Sequence, residues 1–92
     1  MKKITVDLSN IQTPGGMHAY LAFAMDFPAH YGRNLDALHD QLTEISEPMQ
    51  LCIRRPALLS PEMTAFFPRL SLMLHDVQEE NECLEIFFEL TN

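Results

Sequence analysis

The chain has 92 residues, which is enough for one domain with a single modest hydrophobic core. Its hydrophobic content of 47% is typical of a globular protein and not of a disordered one. Thirteen acidic residues against six basic ones give a formal charge of −7. This balance argues against direct binding to nucleic acid or to an anionic membrane, because both need a basic surface.

The residues after Met1, the length of the apolar runs and the two cysteines bear on the cellular location of the protein. The residues after Met1 alternate between apolar and polar, so they do not form the continuous apolar region of a secretory signal. No apolar run is long enough to cross a bilayer. We therefore expect a cytoplasmic protein, in which Cys52 and Cys83, both in predicted strands, are buried free thiols.

The first third of the chain predicts a strand and a helix. Residues 3–8 place apolar side chains at every second position, which predicts the first strand. From Met17 the apolar spacing changes to 3.6 residues, which predicts a helix that ends before Pro28. His18 falls on the outer side of this helix, and we expect it to be solvated.

A second helix is predicted from about Leu35 to Glu44. Gly32 can turn the chain before it, since glycine takes positive φ without steric cost. Asn34 is a candidate N-cap, and Asp36 adds negative charge to the first turn, where the helix dipole favours it. The apolar stripe of this helix, which must face a core, consists of Leu35, Leu38, Leu42 and Ile45.

A different stripe of the same helix is acidic. Asp36, Asp40 and Thr43, at i, i+4 and i+7, form what we call the acidic face; His39 lies on its flank, and Arg33 and Glu44 lie on its far edge. No lysine or arginine follows either aspartate at i+3 or i+4, so their mutual repulsion is not relieved. A helix selected only for stability would avoid this arrangement.

The rest of the chain completes an alternating pattern. Residues 49–54 predict a second strand, and Ser60 with Pro61 predicts a helix start. Pro68 should divide the following region into a short helix and a longer one over residues 69–80, and residues 83–90 predict a third strand. The order β-α-α-β-α-α-β predicts one α/β domain over residues 1–92, with a three-stranded parallel sheet and about four helices.

The segment PAHYGRNLDALHDQLT, residues 28–43, resembles the hallmark segment of the barstar family. Members of that family are intracellular inhibitors of secreted bacterial ribonucleases of the barnase type. Outside this segment the resemblance is one of length and element order. It implies the same small parallel sheet with about four helices.

The resemblance also implies a partner-binding site. In the family, this helix face docks on the ribonuclease, so Asp40 would enter the cationic active site in place of an RNA phosphate. Asp36 would pair with a second basic group, and the surrounding residues would contact the rim. The expected partner contacts are His30, Tyr31, Gly32, Asn34, Asp36, His39, Asp40, Thr43 and Glu44.

Three positions on or near the predicted site helix depart from the family pattern. His30 and His39 stand where the family has aromatic side chains that pack on the enzyme, and Ile45 stands where it has tryptophan; the chain contains no tryptophan. Aromatic anchors supply much of the energy of many interfaces. These departures indicate a different target, a weaker complex or another role within the family.

The same residues could serve other functions. Asp36, His39 and Asp40 are spaced so that they could supply acid–base groups or metal ligands, but no known catalytic or metal-binding motif accompanies them. We therefore expect no catalysis, no cofactor and no metal. An acidic face that only contacts solvent is one alternative.

A second alternative is a barstar-fold interaction module for a non-nuclease partner. Such a module would use the same acidic face or an apolar patch near Phe66 and Phe67. The partner expected under the main hypothesis is a basic secreted-type ribonuclease or another basic protein, and the free chain is expected to be a monomer.

Overall fold

The computed structural model describes residues 2–91; the outer limits of the predicted domain, residues 1 and 92, lie outside this range. The elements are the strands β1 (Lys2–Asp7), β2 (Met49–Pro56) and β3 (Leu84–Thr91), the helices α1 (Pro14–Ala24), α2 (Leu35–Thr43) and α3 (Pro61–Glu80), and a 3-10 turn (Leu8–Asn10). Among the described residues, no helix is both long and apolar enough to span a bilayer.

The three strands form one parallel sheet in the order β1-β2-β3. Leu51 in the central strand is opposite Ile4 on one side and Ile86 on the other. Parallel neighbours require a long crossover, which α1 and α2 supply between the first two strands and α3 supplies between the last two. The predicted parallel sheet is confirmed, and the structure adds the strand order.

The core lies between one face of the sheet and the helices. Val6, Leu51, Ile53 and Leu84 contribute from the strands and join buried residues of all three helices in one cluster. Burial of this apolar area is the main source of stability. The helix residues in the cluster are Met17, Leu21, Leu38, Leu42, Met63, Phe66, Leu70, Leu74 and Val77.

Helix α3 differs from the sequence-based prediction. It continues through Pro68, so residues 2–91 contain three α-helices, and the predicted division into about four helices in the order β-α-α-β-α-α-β is not confirmed. The buried residues Met63, Phe66, Leu70 and Leu74 keep helical spacing across the proline. Packing of this uninterrupted stripe on the sheet therefore outweighs the backbone hydrogen bond that proline cannot make.

The two cysteines occupy different environments. Both are free thiols; Cys52 is buried in β2, whereas Cys83 is only partly buried and lies in the turn before β3. Burial raises the pKa of the Cys52 thiol, and its hydrogen bond to Glu89 acts in the same direction. The prediction of buried strand thiols is thus correct for Cys52 and wrong for Cys83.

Candidate partner-binding site

Helix α2 carries the acidic face on its solvent side. Its inner side is anchored by Leu38 and Leu42, which are fully buried, as the apolar stripe predicts. Asp36 and Asp40 are exposed on the outer side, and the Asp40 side chain retains 78% of its accessible surface. Helical periodicity alone therefore presents both carboxylates to solvent.

The N-terminal end of α2 is held by a local cap. The Asn34 Oδ1 atom accepts a hydrogen bond from the Ala37 backbone N–H at 2.8 Å, which confirms the predicted N-cap. The expected positive φ is not at Gly32 but at Arg33, where φ is 53°. A Cβ at Gly32 would lie 3.2 Å from Asn34 Nδ2 and 3.4 Å from the Ala37 Cβ. Glycine therefore permits close approach of the loop to the cap.

Tyr31 faces the core, unlike its neighbours in the loop. Its side chain is buried, and its hydroxyl shares a 2.6 Å hydrogen bond with His18 Nδ1 in α1. The expectation that His18 is solvated is therefore wrong. Its position three residues before Leu21, which is also buried, is the sequence signal that could have placed it inside.

Burial determines the protonation of this pair. It lowers the pKa of His18 and raises the pKa of Tyr31 to about 12, because both charged forms are disfavoured away from water. The positive charge of Arg33 lowers the pKa of His18 further, and at Tyr31 it offsets part of the rise in pKa that burial causes. His18 and Tyr31 are thus both neutral at physiological pH. The Nδ1 atom of His18 and the hydroxyl of Tyr31 are hydrogen-bonded to each other.

His39 connects α2 to α3. It is half-buried, and its Nε2 atom lies 2.8 Å from Glu80 Oε2 at the C-terminal end of α3. Its Nδ1 atom lies 3.7 Å from Asp40 Oδ1. The sequence gives no local signal that Glu80 belongs to the site, because Glu80 and His39 are 41 positions apart in the chain.

Thr43 is engaged with its own helix. Its hydroxyl shares one proton between the backbone carbonyls of His39 and Asp40, at 3.0 and 3.1 Å. Thr43 is half-buried, and these contacts orient its side chain along the helix. The remaining predicted contacts, namely His30, Gly32, Asn34, Asp36, Asp40 and Glu44, are exposed.

The acidic face can bind cationic groups. Its exposed carboxylates can accept charge-assisted hydrogen bonds from arginine or lysine. Within residues 2–91, no three His, Cys, Asp or Glu side chains are grouped as a metal ion would require. The acidic face is therefore an exposed, negatively charged surface of α2.

Comparison with known proteins decides the family. The family model described as "Barstar (barnase inhibitor)" matches residues 1–90. The chain belongs to the barstar family. It is also similar to "Putative ribonuclease inhibitor YrdF" of Bacillus subtilis (strain 168), with 31% identity over 81 residues, which is 87% of this chain and 89% of that protein. The resemblance seen at residues 28–43 is confirmed and extends over nearly the whole chain.

Proposed function

We propose that the chain inhibits a basic ribonuclease of the barnase type by placing the acidic face of α2 in the active site of the enzyme. Family membership supports an inhibitor, and the observation that carries this proposal is the exposure of both aspartates. In the described part of the chain, neither Asp36 nor Asp40 forms a salt bridge with lysine or arginine. Their carboxylates are free to pair with a partner.

The inhibition would be electrostatic as well as steric. A ribonuclease needs cationic groups in its cleft to stabilise the charge that develops on the phosphate in the transition state. Asp40 would satisfy these groups in place of the phosphate, and Asp36 would pair with a second cation one helical turn away. Opposite net charges would also accelerate encounter at low ionic strength.

The other predicted residues would surround this centre. His30, Gly32 and Asn34 would contact the rim on the N-terminal side of α2, and Thr43 and Glu44 would contact it on the C-terminal side. His39 would meet the enzyme with the ring edge that Glu80 leaves free. Tyr31 would contribute through its backbone, since its side chain is buried.

An inhibition assay tests the proposal. A panel of basic, guanyl-specific microbial ribonucleases is titrated with the wild-type chain and with Asp40→Ala, at low and at moderate salt. We expect stoichiometric inhibition of at least one enzyme and a loss of roughly 2–5 kcal/mol of binding free energy in the variant, since a buried cation would lose its partner. The cytoplasmic location and the monomeric free state remain part of the proposal.

A matched variant separates specific pairing from net charge. Glu62 is exposed in the first turn of α3, at the opposite end of that helix from Glu80. Glu62→Ala removes the same unit of charge as Asp40→Ala, and we expect it to inhibit nearly as well as the wild type. Equal losses in the two variants would contradict a docking role for Asp40.

The alternative partner is a non-nuclease that binds apolar surface. Phe66 is buried and cannot contribute to the patch expected near Phe66 and Phe67, but Phe67 is only partly buried, and Phe88 and Leu90 of β3 are 44% and 69% exposed. The Phe88 ring packs on Phe67 at 6.0 Å between centroids. Binding at this surface would respond little to salt or to Asp40→Ala, whereas binding through the acidic face would weaken with both.

A further inference from the structure

Asn81 is a buried amide whose hydrogen-bonding groups all have partners. It lies directly after α3 and retains only 8% of its accessible surface. Its Nδ2 atom donates to the backbone carbonyls of Leu42 and Ile45, both at 2.9 Å. Its Oδ1 atom accepts from the Cys83 backbone N–H, also at 2.9 Å. The two donors and one lone pair of the amide are thus used.

The two carbonyls that Asn81 binds flank the C-terminal end of α2: Leu42 lies in its last turn, and Ile45 lies two residues after Thr43. Carbonyls in the last turn of a helix lack the usual donor four residues later, and the local substitute for Leu42, the Ile45 backbone N–H, is 3.4 Å away. Asn81, which follows α3, supplies a closer donor to each carbonyl from 39 positions beyond Leu42 and 36 beyond Ile45. One side chain therefore connects the end of α2 to the end of α3 and, through Cys83, to the start of β3.

We propose that Asn81 is a positioning residue for partner binding: through the carbonyls of Leu42 and Ile45 it holds the last turn of α2 where Thr43 and Glu44 meet the partner. This inference rests on the proposed function of the acidic face. Asn81 itself is buried and would not touch the partner.

The two ends of α2 are held differently. The N-terminal end has its own cap in Asn34, a contact within three residues that forms with the helix itself. At the C-terminal end the local hydrogen bond from the Ile45 backbone N–H to the Leu42 carbonyl is long, at 3.4 Å, and Asn81 adds two contacts of 2.9 Å from a distant part of the chain. The nearby His39–Glu80 contact involves side chains that are partly exposed to water. Loss of the Asn81 amide would free the last turn, which would then have to be ordered again on binding.

The test uses Asn81→Asp, which keeps the size of the side chain and the acceptor for Cys83 but removes both donors. Asn81→Ser, which can donate one hydrogen bond, is the milder variant if the first does not fold. The control is Val77→Ala, which opens a small cavity at a fully buried site in α3 and leaves the Asn81 contacts in place. For each variant, binding to a ribonuclease that the wild type inhibits is measured under conditions in which its unfolding curve shows it to be folded.

We expect Asn81→Asp to bind about tenfold or more weakly, mainly through faster dissociation, because small displacements of contact groups are costly. Asn81→Ser should fall between Asn81→Asp and the wild type, and Val77→Ala should bind as the wild type does. In double-mutant cycles, the loss should be non-additive with Glu44→Ala and additive with Asp36→Ala, which lies at the other end of α2.

Two different failures can be distinguished. If the wild type inhibits a ribonuclease and folded Asn81 variants bind as tightly, the positioning role is wrong while the proposed function stands. The positioning role would also be wrong if Val77→Ala bound the ribonuclease as weakly as the Asn81 variants do, because a general loss of stability would then explain the weaker binding. If the wild type inhibits no ribonuclease, the proposed function fails, and this inference fails with it.

Discussion

Replacement of His18 by glutamine tests whether the buried His18–Tyr31 pair makes stability depend on pH. His18 is 2% exposed, is hydrogen-bonded to the Tyr31 hydroxyl at 2.6 Å and lies 6.0 Å from the Phe66 ring, centroid to centroid. Burial lowers its pKa from the ordinary value of 6.5, and the charge of Arg33 lowers the pKa further. The unfolded chain therefore takes up a proton at a higher pH than the folded one does.

The sign and the size of the effect follow from linkage. Below pH 6.5 the unfolded state binds more protons at this residue, so the free energy of unfolding decreases as the pH falls and is fully restored above pH 6.5. One pH unit corresponds to about 1.4 kcal/mol for one proton. If His18 is still neutral in the folded protein at a pH about one unit below the ordinary histidine pKa, its contribution to the loss is at most about 1.4 kcal/mol.

The measurement is urea unfolding above pH 6.5 and about one pH unit below it. It compares the wild type with His18→Gln and His75→Gln. Glutamine can still hydrogen-bond to the Tyr31 hydroxyl but does not titrate, and His75 is exposed on α3 and serves as the control. Between the higher and the lower pH, the wild type and His75→Gln should lose more free energy of unfolding than His18→Gln does, within the upper bound of about 1.4 kcal/mol. An equal loss in His18→Gln and the wild type would refute the argument, because His18 would then bind its proton equally in both states.

Substitutions at three further positions test the scaffold by thermal or urea unfolding. Leu38→Ala should lower the free energy of unfolding by roughly 2–5 kcal/mol, because the side chain is fully buried; a loss well below that range would mean that the site collapses around the cavity. Asn34→Ala should cost about 1 kcal/mol and Asn34→Asp clearly less, and equal costs would argue against the Ala37 cap. Pro68→Ala should raise stability by up to about 3 kcal/mol, since an N–H can again bond to the preceding turn; no gain would show that α3 has adapted to proline.

Local patterns were sufficient for the site helix. The Asn34 cap, the burial of Leu38 and Leu42 and the exposure of Asp36 all follow from helical periodicity within about ten residues. The parallel sheet followed from the alternation of strands and helices, because parallel neighbours need crossovers. These features depend on covalent spacing and backbone geometry, which a sequence states directly.

Contacts between distant elements were decided only by the tertiary structure. The sequence placed His18 in solvent and ended a helix at Pro68, whereas packing buried His18 against Tyr31 and carried α3 through the proline. Packing also brought Glu80 to His39 and Asn81 to the end of α2. Periodicity tells which side of an element is apolar, but not which residue of another element will meet it. Which residues of different elements meet depends on how all the helices pack on the sheet, because each buried polar group needs a hydrogen-bonding partner in the packed structure.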